Sequence, residues 1–411
     1  MTAASCRSCG APLTLTFCDL GLSPISNAFV RPEDAGRGEM FHPLRASVCD
    51  RCWLVQLDGS PGADAHFHGD YVYFSSFSES WLAHARAYVA ATTARLGLGP
   101  ESRVMELASN DGYLLQYFVK AGIPCLGIEP TANTAAAARD KGVETRECFF
   151  GRDSAARLAA EGWKVDLLLG NNVLAHVPDI NDFVGGMPAI LKPEGVVTLE
   201  FPHLLRLIEG NQFDTIYHEH YSYLSLTALL PIFARAGLRV FDVERLTTHG
   251  GSLRLFLCHD SAGHRETGNV ASLRDEERLA GLAGPDVYAA FAERAREARR
   301  SLLSFVVDAR RASRRIAAYG AAAKGNTLLN YCGVGPDDIE CVADRNPTKQ
   351  GRLLPGARIP VVAPERIFET RPDYLLILPW NIKDEVMSQM GGIRDWGGRF
   401  VVPIPTVTVL P

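Results

Sequence analysis

Between residues 102 and 202 the sequence switches repeatedly between short, continuous apolar runs and amphipathic stretches. This alternation constrains the fold more than anything else in the chain. Arg103 to Leu107 reads as a strand, Ala108-Ser109-Asn110-Asp111-Gly112 as a turn, and the segment to Ala121 as an amphipathic helix. "PCLGIEP" is a second strand, ending at Glu129, and "TANTAAAARDKG" is a helix closed by Gly142. "VDLLLGNN" is a third strand and "GVVTLEFP" a fourth, ending at Glu200. Strands that are apolar throughout are buried on both faces, and helices between them supply the cover. The expected class is therefore α/β with a parallel sheet, and ligands of such a sheet bind outside the carboxyl ends of its strands.

The residues at those ends select the ligand. The first turn carries Glu106, Asn110, Asp111 and Gly112, and it lacks G-x-G-x-x-G. It offers carboxylates where a pyrophosphate needs free backbone N–H groups. Acids suit a cation, and S-adenosylmethionine carries a sulfonium and an ammonium. Glu129 is placed to bind two ribose hydroxyls, the role of the acid there in dinucleotide folds. Asn171 and Asn172, closing the third strand, complete the candidate cofactor residues. Asp111 taken alone also reads as a helix cap.

Cys6-x-x-Cys9 is followed, after a gap of 39 residues, by Cys49-x-x-Cys52. Each pair forms a turn that presents two thiolates to one tetrahedral zinc, and four thiolates leave no open position, so the site is expected to be structural. Ten cysteines in 411 residues are too few for a disulfide scaffold. Met1 to Cys6 lacks a charged start and an apolar run. No apolar stretch reaches the ~18 residues of a membrane span. A cytoplasmic location without membrane contact is the expectation. The net charge of −5 argues against a nucleic-acid partner.

Residues 272 to 315 read as one long helical stretch bridging two domains. "RIAAYGAAAKGNTLLNYCG" is then a strand, a tight small-residue turn and a helix. Gly320 to Gly325 permits close approach of a phosphate to a helix N-terminus, and Lys324 adds charge. "IECVAD" ends at Asp344, and "PDYLLILPW" places Trp380 and Asn381 at a third strand end. This second Rossmann-like pattern suggests a dehydrogenase, but its turn lacks the dinucleotide fingerprint. In "THGGSLRLF" two glycines precede a strand, so that Ser252 or Arg254 touches a phosphate, or the glycines serve a bulge.

Taken together, the cysteine quartet, "ELASNDGYLL", "NNVLAHVPD", "YHEHYSYLS", "THGGSLR" and "YGAAAKGNTLLN" resemble, over nearly the whole chain, the sugar C-methyltransferases that act on nucleotide-linked deoxysugars. The resemblance implies three parts: a zinc-binding domain (1–70), a class I, Rossmann-like methyltransferase core (71–245), and a helical linker with a Rossmann-like domain that holds the nucleotide sugar (246–411). It implies methyl transfer to C-3 of a dTDP-4-keto-deoxyhexose, 3-amino or 3-hydroxy, in antibiotic sugar pathways, by a monomer. It also implies that His220 is the base and that Glu219 assists it, with Tyr217, His176 and Tyr71 in the sugar pocket. Tyr73, two residues from Tyr71, would share its face in a strand. Lys324, Asn326, Asp344, Trp380, Ser252 and Arg254 are the candidates for holding the nucleotide sugar. A ketone at C-4 acidifies the hydrogen on C-3, and histidine, with an ordinary pKa of about 6.5, suits its removal. His218 reads as a surface residue. A metal at His-Glu-His lacks the i, i+4 spacing of a helical zinc site. Oxygen or nitrogen methylation, a zinc-stabilised nucleic-acid-binding protein and a nicotinamide oxidoreductase are the competing readings.

Overall fold

Three sheets carry the architecture, and their strands do not keep to the boundaries drawn along the sequence. The computed structural model describes residues 4–60, 62 and 73–411. The N-terminal part supplies β1 (Leu15–Ser23), β2 (His42–Val48) and β3 (Val55–Leu57). The middle supplies β4 (Val104–Leu107), β5 (Cys125–Ile128), β6 (Thr145–Arg146), β7 (Val165–Asn171), β8 (Leu191–Pro202), the short β9 (Ser222–Tyr223), β10 (Leu238–Leu246) and β11 (Ser252–His259). The C-terminal part supplies β12 (Ile316–Tyr319), β13 (Val342–Ala343), β14 (Val361–Val362), β15 (Tyr374–Ile377), β16 (Arg399–Val402) and β17 (Thr408–Leu410).

The central sheet runs β10-β11-β8-β7-β4-β5-β6. Strands β4 to β8 are parallel, and β11 is antiparallel to both of its neighbours. Helices Leu115–Lys120, Ala132–Asp140, Arg152–Ala160 and Ile180–Ile190 are the crossovers. Every residue of β4 is buried, which is why it reads as an unbroken apolar run. The chain winds outward from β4 to β6 and returns to β7 on the other side of β4. The crevice therefore opens between the carboxyl ends of β4 and β7.

The C-terminal sheet, β14-β13-β12-β15-β16-β17, repeats the plan. It is parallel except for β17. The helical stretch expected over 272–315 is divided into Gly268–Leu279, Asp286–Ala289 and Phe291–Arg311. Gly281 takes a left-handed φ of 83° and Pro285 caps the short piece, so neither supports a continuous helix. The last piece is the bridge: its Phe291 stacks on Phe17 of β1 at 4.4 Å. One apolar core accordingly joins Phe17, Leu44 and Val55 to Leu302, Leu328 and Leu376.

The fourth strand of the N-terminal sheet is β9, paired with β3. The Tyr-His-Glu-His block thus leaves the central domain and finishes as a strand of the cysteine-bearing one. Among the described residues no helix is long and apolar enough to cross a membrane.

Candidate active site

The crevice over β4 and β7 is lined by polar groups that lack well-formed hydrogen bonds. Glu106 is completely buried and neither carboxylate oxygen has a well-formed hydrogen bond. Burial pushes its pKa well above the usual carboxylate range, against the pull of the facing Tyr113 phenol. Asn171 is 7% exposed, beside the Tyr113 phenol, with no well-formed hydrogen bond at either amide atom. Such atoms cost about 1–3 kcal/mol each unless something fills the space, and an ammonium or sulfonium with amino-acid polar groups would satisfy them. Glu129, at the end of β5, accepts from Asn110 N and Thr131 N at 2.9 Å each. It also accepts from the Thr131 hydroxyl, and three bonds leave lone-pair capacity for a ribose hydroxyl.

The other predicted cofactor residues hold the crevice together. Asn110, at φ 49°, receives Ser75 N on its Oδ1 and donates to Tyr73 O. Asp111 is ion-paired to Lys141 at 2.9 Å and bonded by Ser76, so its charge is already balanced and the cation falls to Glu106. Gly112 (φ 72°) serves packing: a Cβ there would lie 3.0 Å from Val143. Asn172, at φ 54°, pairs with His249 Nε2 at 2.7 Å. Sequence reasoning passed over Trp81, whose indole stacks on His84 at 5.0 Å and Tyr113 at 5.9 Å and meets His249 edge-on at 5.2 Å. It lies outside every quoted motif, so no sequence signal marked it.

Beside this crevice the rings of His176 and His220 meet edge to face, centroids 4.6 Å apart at 76°. His220 Nδ1 lies 2.9 Å from Thr215 O. A carbonyl only accepts, so Nδ1 carries the proton and Nε2 keeps its lone pair, which the Tyr217 hydroxyl meets at 2.8 Å. Burial, then the neighbouring His176, hold the His220 pKa well below its ordinary value. The ring is therefore neutral at pH 7, with the Nε2 lone pair as its acceptor position. Glu219 Oε1 instead accepts from Asn27 Nδ2 at 2.6 Å. Both ring nitrogens have partners, and the Thr215 carbonyl orients the ring. Glu219 acts next door, raising the Tyr217 phenol after burial has done so. His218 is buried, not on the surface, with Nε2 3.2 Å from Pro43 O. Tyr71 lies outside the described residues.

The C-terminal domain sends Lys324 and Trp380 into the same cleft. Lys324 Nζ donates to Asn381 Oδ1 at 2.7 Å and sits 4.7 Å over the Trp380 ring. Trp380 Nε1 donates to the buried Asp214 at 2.7 Å. Burial raises Asp214 to about 6, opposed by Lys324 and Trp380. Asn326 is buried with both amide atoms unpartnered. Gly250 is needed because Trp380 would lie 2.6 Å from a Cβ there.

Three candidates do not join it. Arg254 is held by Glu200 at 2.6 Å and Glu244 at 2.8 Å. Its guanidinium thus balances the buried Glu200 and the half-exposed Glu244, and Glu200 also receives His84 at 2.9 Å. Ser252 Oγ closes a local turn on Thr248 O. Asp344 accepts from Ala321 N and Asn346 N and so stabilises its own loop.

At the far end, the sulfurs of Cys6, Cys9, Cys49 and Cys52 lie within 4.8 Å of one another. The pairs Cys6–Cys52 and Cys9–Cys49 are 3.5 Å apart, too far for a disulfide bond of about 2.05 Å. A tetrahedral ion with sulfur ligands at about 2.3 Å would separate them by a similar distance. The contact between Cys6 and Cys52 holds the Cys6 thiol low and the Cys52 thiol high.

The strand order, the antiparallel β11 and the acid-lined crevice at the switch point define a class I S-adenosylmethionine-dependent methyltransferase. Family models match segment by segment: a zinc binding domain over residues 6–67, a methyltransferase domain over 81–243 and a C-methyltransferase C-terminal domain over 247–405. C-methyltransferase NovU from Streptomyces niveus is 38% identical over 408 residues, covering 98% of this chain and 96% of its own. The chain belongs to this family of C-methyltransferases, and the protein is an S-adenosylmethionine-dependent enzyme of that kind. A ubiquinone biosynthesis O-methyltransferase of Rhodopseudomonas palustris (strain BisA53) is 28% identical over 97 residues, 24% of this chain and 38% of its own. Magnesium protoporphyrin IX methyltransferase from Synechocystis PCC 6803 aligns with 43% of this chain and 77% of its own, at 15% identity and a TM-score of 0.32.

Proposed function

We propose that the enzyme methylates C-3 of a dTDP-4-keto-deoxyhexose bearing an amino or hydroxyl group there, after His220 removes the C-3 proton. The observation that carries this is the tautomer of His220. With Nδ1–H anchored on Thr215 O, Nε2 is the ring's basic position, and the Tyr217 hydroxyl meets it at 2.8 Å. S-adenosylmethionine, held by Glu106, Asn171 and Glu129, supplies an electrophilic methyl on a sulfonium. Carbon methylation then needs a carbanion equivalent from the second substrate, and a ketone beside a C–H bond provides it.

The step balances as follows. Nε2 takes the proton, the C–H electron pair becomes the enolate π bond, and negative charge builds on the C-4 oxygen. A lone imidazolium would be disfavoured beside His176 and Lys324, but here the enolate appears together with it as counter-charge. Tyr217, which caps Nε2 in the resting site, is the donor that turns to the C-4 oxygen, with His176 opposite. The enolate carbon then takes the methyl in line with the departing sulfur. Lys324 and Asn326 are the groups for the nucleotide diphosphate. We further infer that the four thiolates hold one structural zinc, with no ligand position left for catalysis. These substrates and the reducing thiol site are in keeping with a cytoplasmic enzyme.

The test uses S-adenosylhomocysteine, a panel of dTDP-4-keto-deoxysugars and deuterated water, with the C-3 proton followed by NMR. Protein-dependent exchange that His220→Ala abolishes is expected, with methyl transfer falling by roughly 10²–10⁴-fold. Methyl transfer with no exchange, and with His220→Ala fully active, would instead indicate oxygen or nitrogen as acceptor.

A further inference from the structure

The turn from Cys6 to Cys9 touches both segments that carry the paired histidines. Arg7 lies inside that turn. Its Nη1 donates to Leu57 O at 2.5 Å and to Tyr221 O at 3.4 Å, and its Cζ lies 5.5 Å from the Tyr221 ring. Tyr221 directly follows His220. The Arg7 backbone N–H is fixed by Gln56 Oε1 at 2.8 Å, while Gln56 Nε2 donates to Cys6 Sγ at 3.2 Å. Gln56 in turn pairs with Ser222 across β3 and β9.

The second connection runs the other way. The carbonyls of Arg7 and Ser8 both accept from Asn181 Nδ2 at 2.9 Å. Arg235 Nη2 closes the group on Ser8 O, Ser8 Oγ and Asn181 Oδ1. Asn181 sits in the first turn of the helix Ile180–Ile190, which starts just beyond the Leu174–His176 turn. One four-residue turn therefore holds the residue after His220 by a side chain, and the segment after His176 by its backbone.

We propose that Arg7 and Asn181 are positioning residues through which the metal-bound cysteine turn sets the spacing of the His176–His220 pair. A four-residue turn is soft by itself. Thiolates fixed on one ion hold both of its ends, and its carbonyls and Arg7 then become rigid references for the two loops. Misplacement of a reacting group by about 1 Å can cost on the order of 10²-fold in rate. The inference rests on the reading of His220 as the base.

The experiment uses the full-length, zinc-loaded protein carrying isotope-labelled histidine. Arg7→Met keeps the aliphatic stem but no donor, and Asn181→Asp keeps the shape but cannot donate to the two carbonyls. Both variants should retain one zinc by released-metal assay and a KM close to wild type. Each should lower kcat by about 10–100-fold, the usual effect of losing an outer-shell partner, and move the His220 ring resonances. Arg7→Lys should restore part of both. Removing zinc from wild type with a chelator should move the same resonances. Lowered thermal stability with kcat and the His220 resonances unchanged would overturn the proposal, because it would leave these bonds a merely structural role. If His220→Ala stays active while the resonances still move in Arg7→Met, the reading of the base fails and the coupling to the turn stands.

Discussion

The protein contains two Rossmann-like turns, and their polar groups are in opposite states. At the carboxyl end of β4, Ala108, Asn110 and Gly112 all take left-handed φ values, and Glu106 and Asn171 are left buried beside the Tyr113 phenol with no well-formed hydrogen bond. At the end of β12, Gly320 turns the chain at φ 89°, yet the backbone groups of Ala321 that follow it are satisfied from within. Asp344 takes the Ala321 N–H at 2.7 Å, and Lys349 Nζ donates to Ala321 O at 2.8 Å. The place where a dinucleotide fold receives phosphate is thus filled by the domain's own acid and lysine. The same topology serves as a pocket in one half and, in the other, as a support that delivers Lys324 and Trp380 to the cleft.

The largest effect should come from removing the buried acid. Glu106→Gln should weaken S-adenosylmethionine binding by about 10–100-fold, the equivalent of losing one charged hydrogen bond of roughly 1.5–3 kcal/mol. It should also stabilise the ligand-free protein at neutral pH, since an amide costs less to bury than a carboxylate. The sign follows from linkage. The folded-state pKa of Glu106 is raised, so the folded protein binds the extra proton. Its contribution to stability is therefore lost as pH climbs from the ordinary carboxylate range through the raised value. Thermal unfolding of the ligand-free protein across that window should show a shallower fall in the variant. An unchanged slope together with unchanged affinity would mean that the crevice is not built around Glu106.

The contrast also explains what the sequence could disclose. The strands of both sheets and the four-cysteine site were legible because they rest on local patterns: unbroken apolar runs, helical spacing and paired C-x-x-C. The acids at the strand ends were legible as a set, but their partners were not. That Lys141 balances Asp111, or that Glu200 and Glu244 hold Arg254, depends on residues 10 to 54 positions away meeting across the fold. Thr215 was missed as the group that orients His220 because a backbone carbonyl looks the same in every residue. His249 lay unremarked within "THGGSLR", and its left-handed φ of 53° is invisible in the letter H.

A smaller effect is expected where the second domain reaches the first. Lys324→Met should raise KM for the nucleotide sugar by roughly tenfold, as loss of one charged contact does, and leave S-adenosylmethionine affinity unchanged. Burial lowers the Lys324 pKa from 10.5, with Asp214 opposing. Wild type should therefore converge on the variant as alkaline pH removes the charge. Lys324 is also among the groups that depress His220. The acid limb of kcat/KM, set in wild type below the ordinary histidine value, should shift to higher pH in the variant. A fixed acid limb would separate Lys324 from the base electrostatically and confine it to binding.

The smallest effect belongs to the satisfied acid. Asp344→Ala leaves the Ala321 and Asn346 N–H groups without their acceptor and should cost about 1–3 kcal/mol of stability. Lys349, 3.9 Å from the carboxylate, would lose a partner but keep Ala321 O. S-adenosylmethionine affinity should not move, since the bonds lost all lie within the C-terminal turn, and KM for the sugar should change only as far as Lys324 shifts with the loosened turn. Calorimetric unfolding and titration of the methyl donor on one preparation test both halves. If Asp344→Ala stays as stable as wild type and instead loses nucleotide-sugar binding outright, the acid contacts the ligand directly. The second turn would then be a pocket like the first.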